Sequence, residues 1–129
     1  MRKALRSRTK VAPLSHRRAE AALRKHALAF PDAAPWGKRF IRVRGKIFIS
    51  IGIVDDTLRV GVKLPRSAEM ALTLPFCAPG GRRLGPAGWI TAHFRQADRP
   101  PVALLKGWAA QSYYATAPKS LQPQEATDP

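Results

Sequence analysis

The side chains best suited to covalent chemistry are few and scattered. Cys77 is the single cysteine, and the histidines His16, His26 and His93 show no metal-ligand spacing with it or with one another. Asp55-Asp56 is a pair of adjacent carboxylates, but it stands where the chain has to turn, and Asp favours turns by bonding its own backbone. No acid, base and nucleophile converge, so the expectation is a non-enzyme without metal or cofactor. Cys77 reads as a buried thiol. A deep pocket around Cys77 and His93 would revive an enzymatic reading.

Binding chemistry is far better represented. The 129 residues carry 23 Lys and Arg against 8 Asp and Glu, a formal net charge of +15. The first 14 residues hold +5 of it, through Arg2, Lys3, Arg6, Arg8 and Lys10, which leaves +10 on the remainder. A fold that tolerates so large an excess of one sign usually meets a polyanion. The loop Gly80-Gly-Arg-Arg-Leu-Gly85 adds Arg82 and Arg83 beside backbone that can approach a phosphate. It lacks the Lys-Ser/Thr ending of a P-loop and does not match the dinucleotide fingerprint.

The elements that must position these groups follow from periodicity. Residues 1–13 have no apolar repeat and read as a disordered basic arm. Ser15 is placed to cap a helix with Ala19, Ala22, Leu23, Ala27 and Phe30 on one stripe, and Glu20 can pair with Arg24 one turn on. Pro31 stops it, and residues 31–38 read as a connection. Phe40–Val43, Ile47–Ile53 and Leu58–Leu64 alternate as three antiparallel strands, with Gly45 and Asp55-Asp56 at the turns. A short helix opens at Pro65 and runs to about Leu74. Residues 78–88 hold four glycines and two prolines and read as an irregular loop. Trp89–Phe94 is a fourth strand, and a last helix covers roughly Val102 to Ala115. Residues 122–129 read as a disordered tail.

The resulting order, α-β-β-β-α-β-α over residues 14–121, defines an α+β domain: an antiparallel sheet of at least four strands with helices on one face. Alternation assigns Ile41, Val43, Ile47, Ile49, Ile51, Ile53, Leu58, Val60, Val62, Leu64, Ile90, Ala92 and Phe94 to the covered face. The opposite face collects Phe40, Arg42, Arg44, Phe48, Ser50, Arg59, Lys63, Trp89, Thr91 and His93. Cations there can neutralise phosphates, and flat rings can contact bases or sugars.

Ala29-Phe-Pro-Asp32, Phe40-x-x-Val-x-Gly-Lys-x-Phe48, Leu58-Arg-Val-Gly-Val-Lys-Leu-Pro65, Trp89-Ile-Thr91, Ser112-Tyr113 and Ala117-Pro-Lys119 occur in this order. With that order and spacing the chain resembles the MmcQ/YjbR family over about residues 15–121. The resemblance implies a frataxin-like (CyaY-like) fold and a double-wing DNA-binding role. In the family the stretch before the tryptophan commonly carries Asn-Lys and a His. Here it reads Leu84-Gly-Pro-Ala-Gly88. Iron handling, which frataxin-like folds also bring to mind, needs clustered carboxylates, yet the first helix offers only Glu20 among four cations.

The expectation is therefore a small, non-enzymatic, cytoplasmic protein, with a monomer as the default state, that binds DNA, double-stranded in form, largely without sequence preference. Arg42, Arg44, Arg59, Lys63, Arg82 and Arg83 are the expected phosphate contacts, and Trp89 the stacking or wedge residue. No apolar run approaches the ~20 residues that cross a bilayer, so no membrane partner is expected. The rival readings are a module that docks an acidic protein and an enzyme of unknown chemistry.

Overall fold

The computed structural model describes residues 12–80 and 88–121. The arm up to residue 11, the tail from residue 122, and Arg82 and Arg83 lie outside the described residues. Ala12 is already buried and Pro13 occupies the N-cap of the first helix, so the domain is under way before residue 14.

The elements are α1 (Leu14–Leu28), β1 (Ala33–Trp36), β2 (Phe40–Val43), β3 (Lys46–Val54), β4 (Thr57–Lys63), α2 (Ala68–Ala71), β5 (Cys77–Pro79), β6 (Trp89–Phe94) and α3 (Val102–Thr116), with a 3-10 turn at Lys119–Leu121. The class is α+β as expected. The sheet has six antiparallel strands in the order β1-β2-β3-β4-β6-β5. The strands absent from the sequence reading are its two edges. Pro35 inside β1 argues against a strand, yet an edge position spares its missing N–H. β5 is three residues long and ends in Pro79.

α1 and α3 cover one face of the sheet. Ala19, Leu23 and Ala27 from α1 and Leu105, Trp108, Ala109 and Tyr113 from α3 join Ile41, Val43, Ile49, Ile51, Leu58, Val60, Val62, Ile90, Ala92 and Phe94 in one core. Ser15 does not cap α1: it lies within the helix, and no side chain caps that end. His16 holds the end of α1 instead. Its Nε2 is 3.0 Å from the Phe94 carbonyl and 2.8 Å from that of Arg95, so an Nε2–H there donates to both.

One correction concerns β3. Pairing passes from Ile41 opposite Ile49 to Arg42 opposite Ile47, so β3 carries an extra residue, Phe48. The bulge breaks the alternation. Phe48 turns into the core, fully buried, edge-on to Tyr113 at 5.3 Å, while Ile47 moves to the face of Arg42. Ser112 of α3 fills the resulting gap in the ladder. Its hydroxyl donates to the Phe48 carbonyl and accepts from the Lys63 N–H at 2.8 Å.

Candidate nucleic-acid interface

Register fixes which side chains share the uncovered face, because directly opposed residues point the same way. Trp36 pairs with Phe40, Phe40 with Ser50, Ser50 with Gly61, Gly61 with Thr91 and Thr91 with Ala78. The centre of this face is thus a row that begins with two aromatic rings and continues in small residues. On either side of the row stand Arg42 opposite Ile47, Arg59 opposite both Gly52 and His93, and Lys63 opposite Trp89. Arg59 is exposed, and Arg42, Lys63 and Trp89 are half-buried.

Two large aromatics on this face stand out against water: Trp36 is 46% exposed and Phe40 38%. They close a hairpin whose loop is Gly37-Lys38-Arg39, with Gly37 at φ 70°. Their centroids lie 5.8 Å apart, and the Arg42 guanidinium carbon sits 4.9 Å above the Trp36 ring, within cation–π range. The backbone beneath is tied down. Arg24 of α1 donates to the Lys38 carbonyl at 3.1 Å and the Ile51 carbonyl at 3.0 Å, while the Ile51 N–H donates to Arg39 at 2.7 Å.

Electrostatically this face is one-sided. Among the described residues the ion pairs are Arg24–Glu20 at 3.4 Å and Arg44–Asp32 at 2.5 Å. Neither lies on the open face. Arg39, Arg42, Arg59 and Lys63 have no carboxylate partner among the described residues.

Arg44 requires a correction. It does not stand on the open face but in the two-residue turn between β2 and β3, at φ 51° beside Gly45 at φ 82°, the geometry of a type I′ turn. Its Nε–H is held by Asp32. The structure thus brings Arg42, Arg59, Lys63 and Trp89 to one face and leaves Arg44 outside. Sequence reasoning missed Trp36, Lys38 and Arg39. The signal was the run Trp36-Gly-Lys-Arg-Phe40, a glycine turn between aromatics, which Pro35 disguised as a connection.

Cys77 and His93 do line a common cavity, of about 420 Å³, at the β5–β6 edge. Their chemistry does not converge. Cys77 pairs with Ala92 and so belongs to the core face, whereas His93 pairs with Arg59 on the open one. Burial pushes the thiol up to about 11, which leaves almost no thiolate at neutral pH. Burial first, and then the charge of Arg59, lowers His93 below its usual 6.5. Asp98 in the same cavity is engaged with the Arg95 N–H at 2.7 Å. No group of three or more potential metal ligands occurs among the described residues. No helix among them is long and apolar enough to cross a membrane.

No family model matches the chain, and no curated protein matches it. Among solved structures it is similar to the Deinococcus radiodurans protein DR2400, a DUF419 domain of the MmcQ/YjbR-like type. The TM-score is 0.56 at 23% identity, over 72% of this chain and 74% of that one. The likeness establishes the fold.

Proposed function

We propose that this protein is a non-enzymatic member of the MmcQ/YjbR-like group that binds DNA through its open sheet face, largely without regard to sequence. The observation that carries this reading is the set of uncompensated cations, Arg39, Arg42, Arg59 and Lys63, on the side of the sheet opposite the helical core. Keeping four like charges together without carboxylates is unfavourable for the free protein, and a polyanion relieves it. Contacts to phosphates position a ligand without reading its bases, and nothing in the row Ser50–Gly61–Thr91 offers the long bidentate groups that discriminate them. Arg82 and Arg83 enter the proposal on their place in the sequence, and Trp89 as a ring beside Lys63.

The test is a salt titration with DNA of random sequence, measured by fluorescence anisotropy. Each phosphate contact contributes roughly −0.7 on single strands and −0.9 on duplex to the slope of log K against log salt, so four to six contacts give about −3 to −5. Different sequences are expected to bind within a few-fold of one another. Absence of binding at low salt overturns the proposal. Heparin is run in parallel. Equal binding of heparin and DNA at every salt concentration favours the docking of an acidic protein instead.

A further inference from the structure

Two depressions on the open face share a wall. The first, about 150 Å³, has Ser50, Gly52 and Thr91 in its floor and Arg39, Phe40 and Arg59 at its sides. The second, about 390 Å³, is formed by Trp36, Gly37, Lys38, Arg39 and Phe40. Arg39 and Phe40 belong to both. Resting on the DNA-binding reading above, the geometry points to a single strand of DNA as the ligand of this edge. One base stacks against the Trp36–Phe40 pair, and the neighbouring phosphate sits between Arg39 and Arg59.

Three observations support this assignment, and the first favours a single strand over a duplex. In a duplex the ring faces of the bases are stacked on each other, so rings lying on an open sheet meet only backbone and groove edges. A single strand offers its ring faces freely, and base–aromatic stacking is the main sequence-tolerant source of its affinity. Trp36 and Phe40 are the aromatics that this edge holds against solvent, and they do not contribute to the buried core.

The smaller depression is suited to one phosphate. It presents two guanidinium side chains and two hydroxyls, with no carboxylate in its lining. Glycines keep it open. A Cβ on Gly52 would stand 3.1 Å from Arg39 Cγ, so glycine there lets the arginine lie across the strand. A Cβ on Gly61 would stand 2.5 Å from Ser50 Oγ and displace that hydroxyl.

The third observation is pre-organisation. The backbone of Lys38 and Arg39 is held by Arg24 and Ile51, so little ordering is left to be done on binding. From the aromatic pair the row Ser50–Gly61–Thr91–Ala78 continues without a bulky residue to the far edge. At about 4.8 Å per strand the six-stranded row spans about 24 Å, a track for a few nucleotides of extended strand.

The experiment uses the full chain with a fluorescein-labelled oligothymidylate of about ten nucleotides and a random-sequence duplex of equal length, at about 50 mM salt. The single strand is expected to bind at least roughly tenfold tighter than the duplex and to quench indole emission. The double variant Trp36→Leu, Phe40→Leu keeps apolar bulk but removes the rings. It should lose roughly tenfold or more in affinity for the single strand, change little towards duplex, and melt as the unaltered protein does. Arg39→Gln with Arg59→Gln should flatten the single-strand salt slope by about 0.7, the share of the one phosphate that the two arginines hold. Duplex binding as tight as single-strand binding, or a leucine variant that holds the oligothymidylate undiminished, overturns this inference and leaves DNA binding standing. Failure to bind either probe overturns both.

Discussion

The two faces of the sheet share every backbone atom and differ in almost everything else. On the helix-covered side Val43, Phe48, Ile49, Ile51, Leu58, Val60, Val62 and Ala92 are wholly buried. One residue along each strand, the other side shows Arg42, Ser50, Arg59, Gly61, Lys63 and Thr91, with Trp36 and Phe40 at its edge. The first set is fixed by packing, where a missing methylene is felt. The second set makes few contacts, and its cations repel one another. Stability therefore resides on one face, and the other is free to be shaped by what it binds. Substitutions can separate these two roles.

The largest effect belongs to the packed side. Phe48→Ala removes a fully buried ring that contacts Tyr113 and Phe30, and the cost is about 3–5 kcal/mol in urea denaturation. Arg59→Ala, on an exposed side chain, stays within about 0.5 kcal/mol. A Phe48→Ala loss below about 1 kcal/mol would mean that the bulge relaxes and the two faces are less distinct than their burial implies.

The open face should show the reverse behaviour. Replacing Arg42, Arg59 and Lys63 together by Gln removes three of its cations. The salt slope for DNA should flatten by about two to three, while the melting temperature stays within a few degrees. A rise in stability would agree with the relief of like-charge repulsion. An unchanged slope would show that phosphates are met elsewhere, as through Arg82 and Arg83.

Much of this division was legible in the sequence. Parity alone sorts Ile41, Val43, Ile49, Ile51, Leu58, Val60, Val62, Leu64, Ile90, Ala92 and Phe94 onto the buried side, where they are found. It fails at Phe48, because both parities of Ile47-Phe-Ile-Ser-Ile are apolar at the start and a one-residue bulge leaves no mark there. It fails again at β1, where Pro35 looks like a breaker and is harmless on an edge. Arg44 was misplaced because a residue in a type I′ turn belongs to neither face, and its pairing with Asp32 joins positions too distant for any local pattern. Arg39 was missed for a similar reason: its position over Gly52 depends on the fold of the β1–β2 loop against β3.

Ser112 tests the seam between the two regions. Its hydroxyl bridges the Phe48 carbonyl and the Lys63 N–H, so it joins the helix to the ladder where the bulge leaves that ladder unpaired. Ser112→Ala strands both backbone groups in a buried place and costs about 1–3 kcal/mol. Lys63 continues the open face from that same position, so the variant should also weaken DNA binding slightly without changing the formal charge. A variant as stable as the parent would show that the backbone groups close on each other without the hydroxyl.

The smallest effect comes from His93, which stands on the open face while its burial is shared with the β5–β6 cavity. Burial first, and the Arg59 guanidinium second, lower its pKa below the usual 6.5; Arg95, Asp98, Arg99 and the neutral Cys77 thiol line the same cavity. Well above pH 6.5 the imidazole is neutral in both the folded and the unfolded chain and contributes nothing to pH dependence. As pH falls through 6.5 the unfolded chain takes up the proton first, so the folded state loses stability until its own, lower value is passed. His93→Gln removes this contribution, and its melting temperature should fall less than the parent's between pH 7.5 and 5, by at most a few degrees. Arg59→Gln should recover only the smaller part, since burial remains. A phosphate seated against Arg59 would offset the charge that disfavours the imidazolium. DNA binding should then take up a fraction of a proton below pH 6.5 and be slightly tighter there than at pH 7.5, a difference that His93→Gln abolishes. Identical pH profiles for the parent and His93→Gln, in both melting and binding, would show that His93 feels neither the buried face nor the charged one.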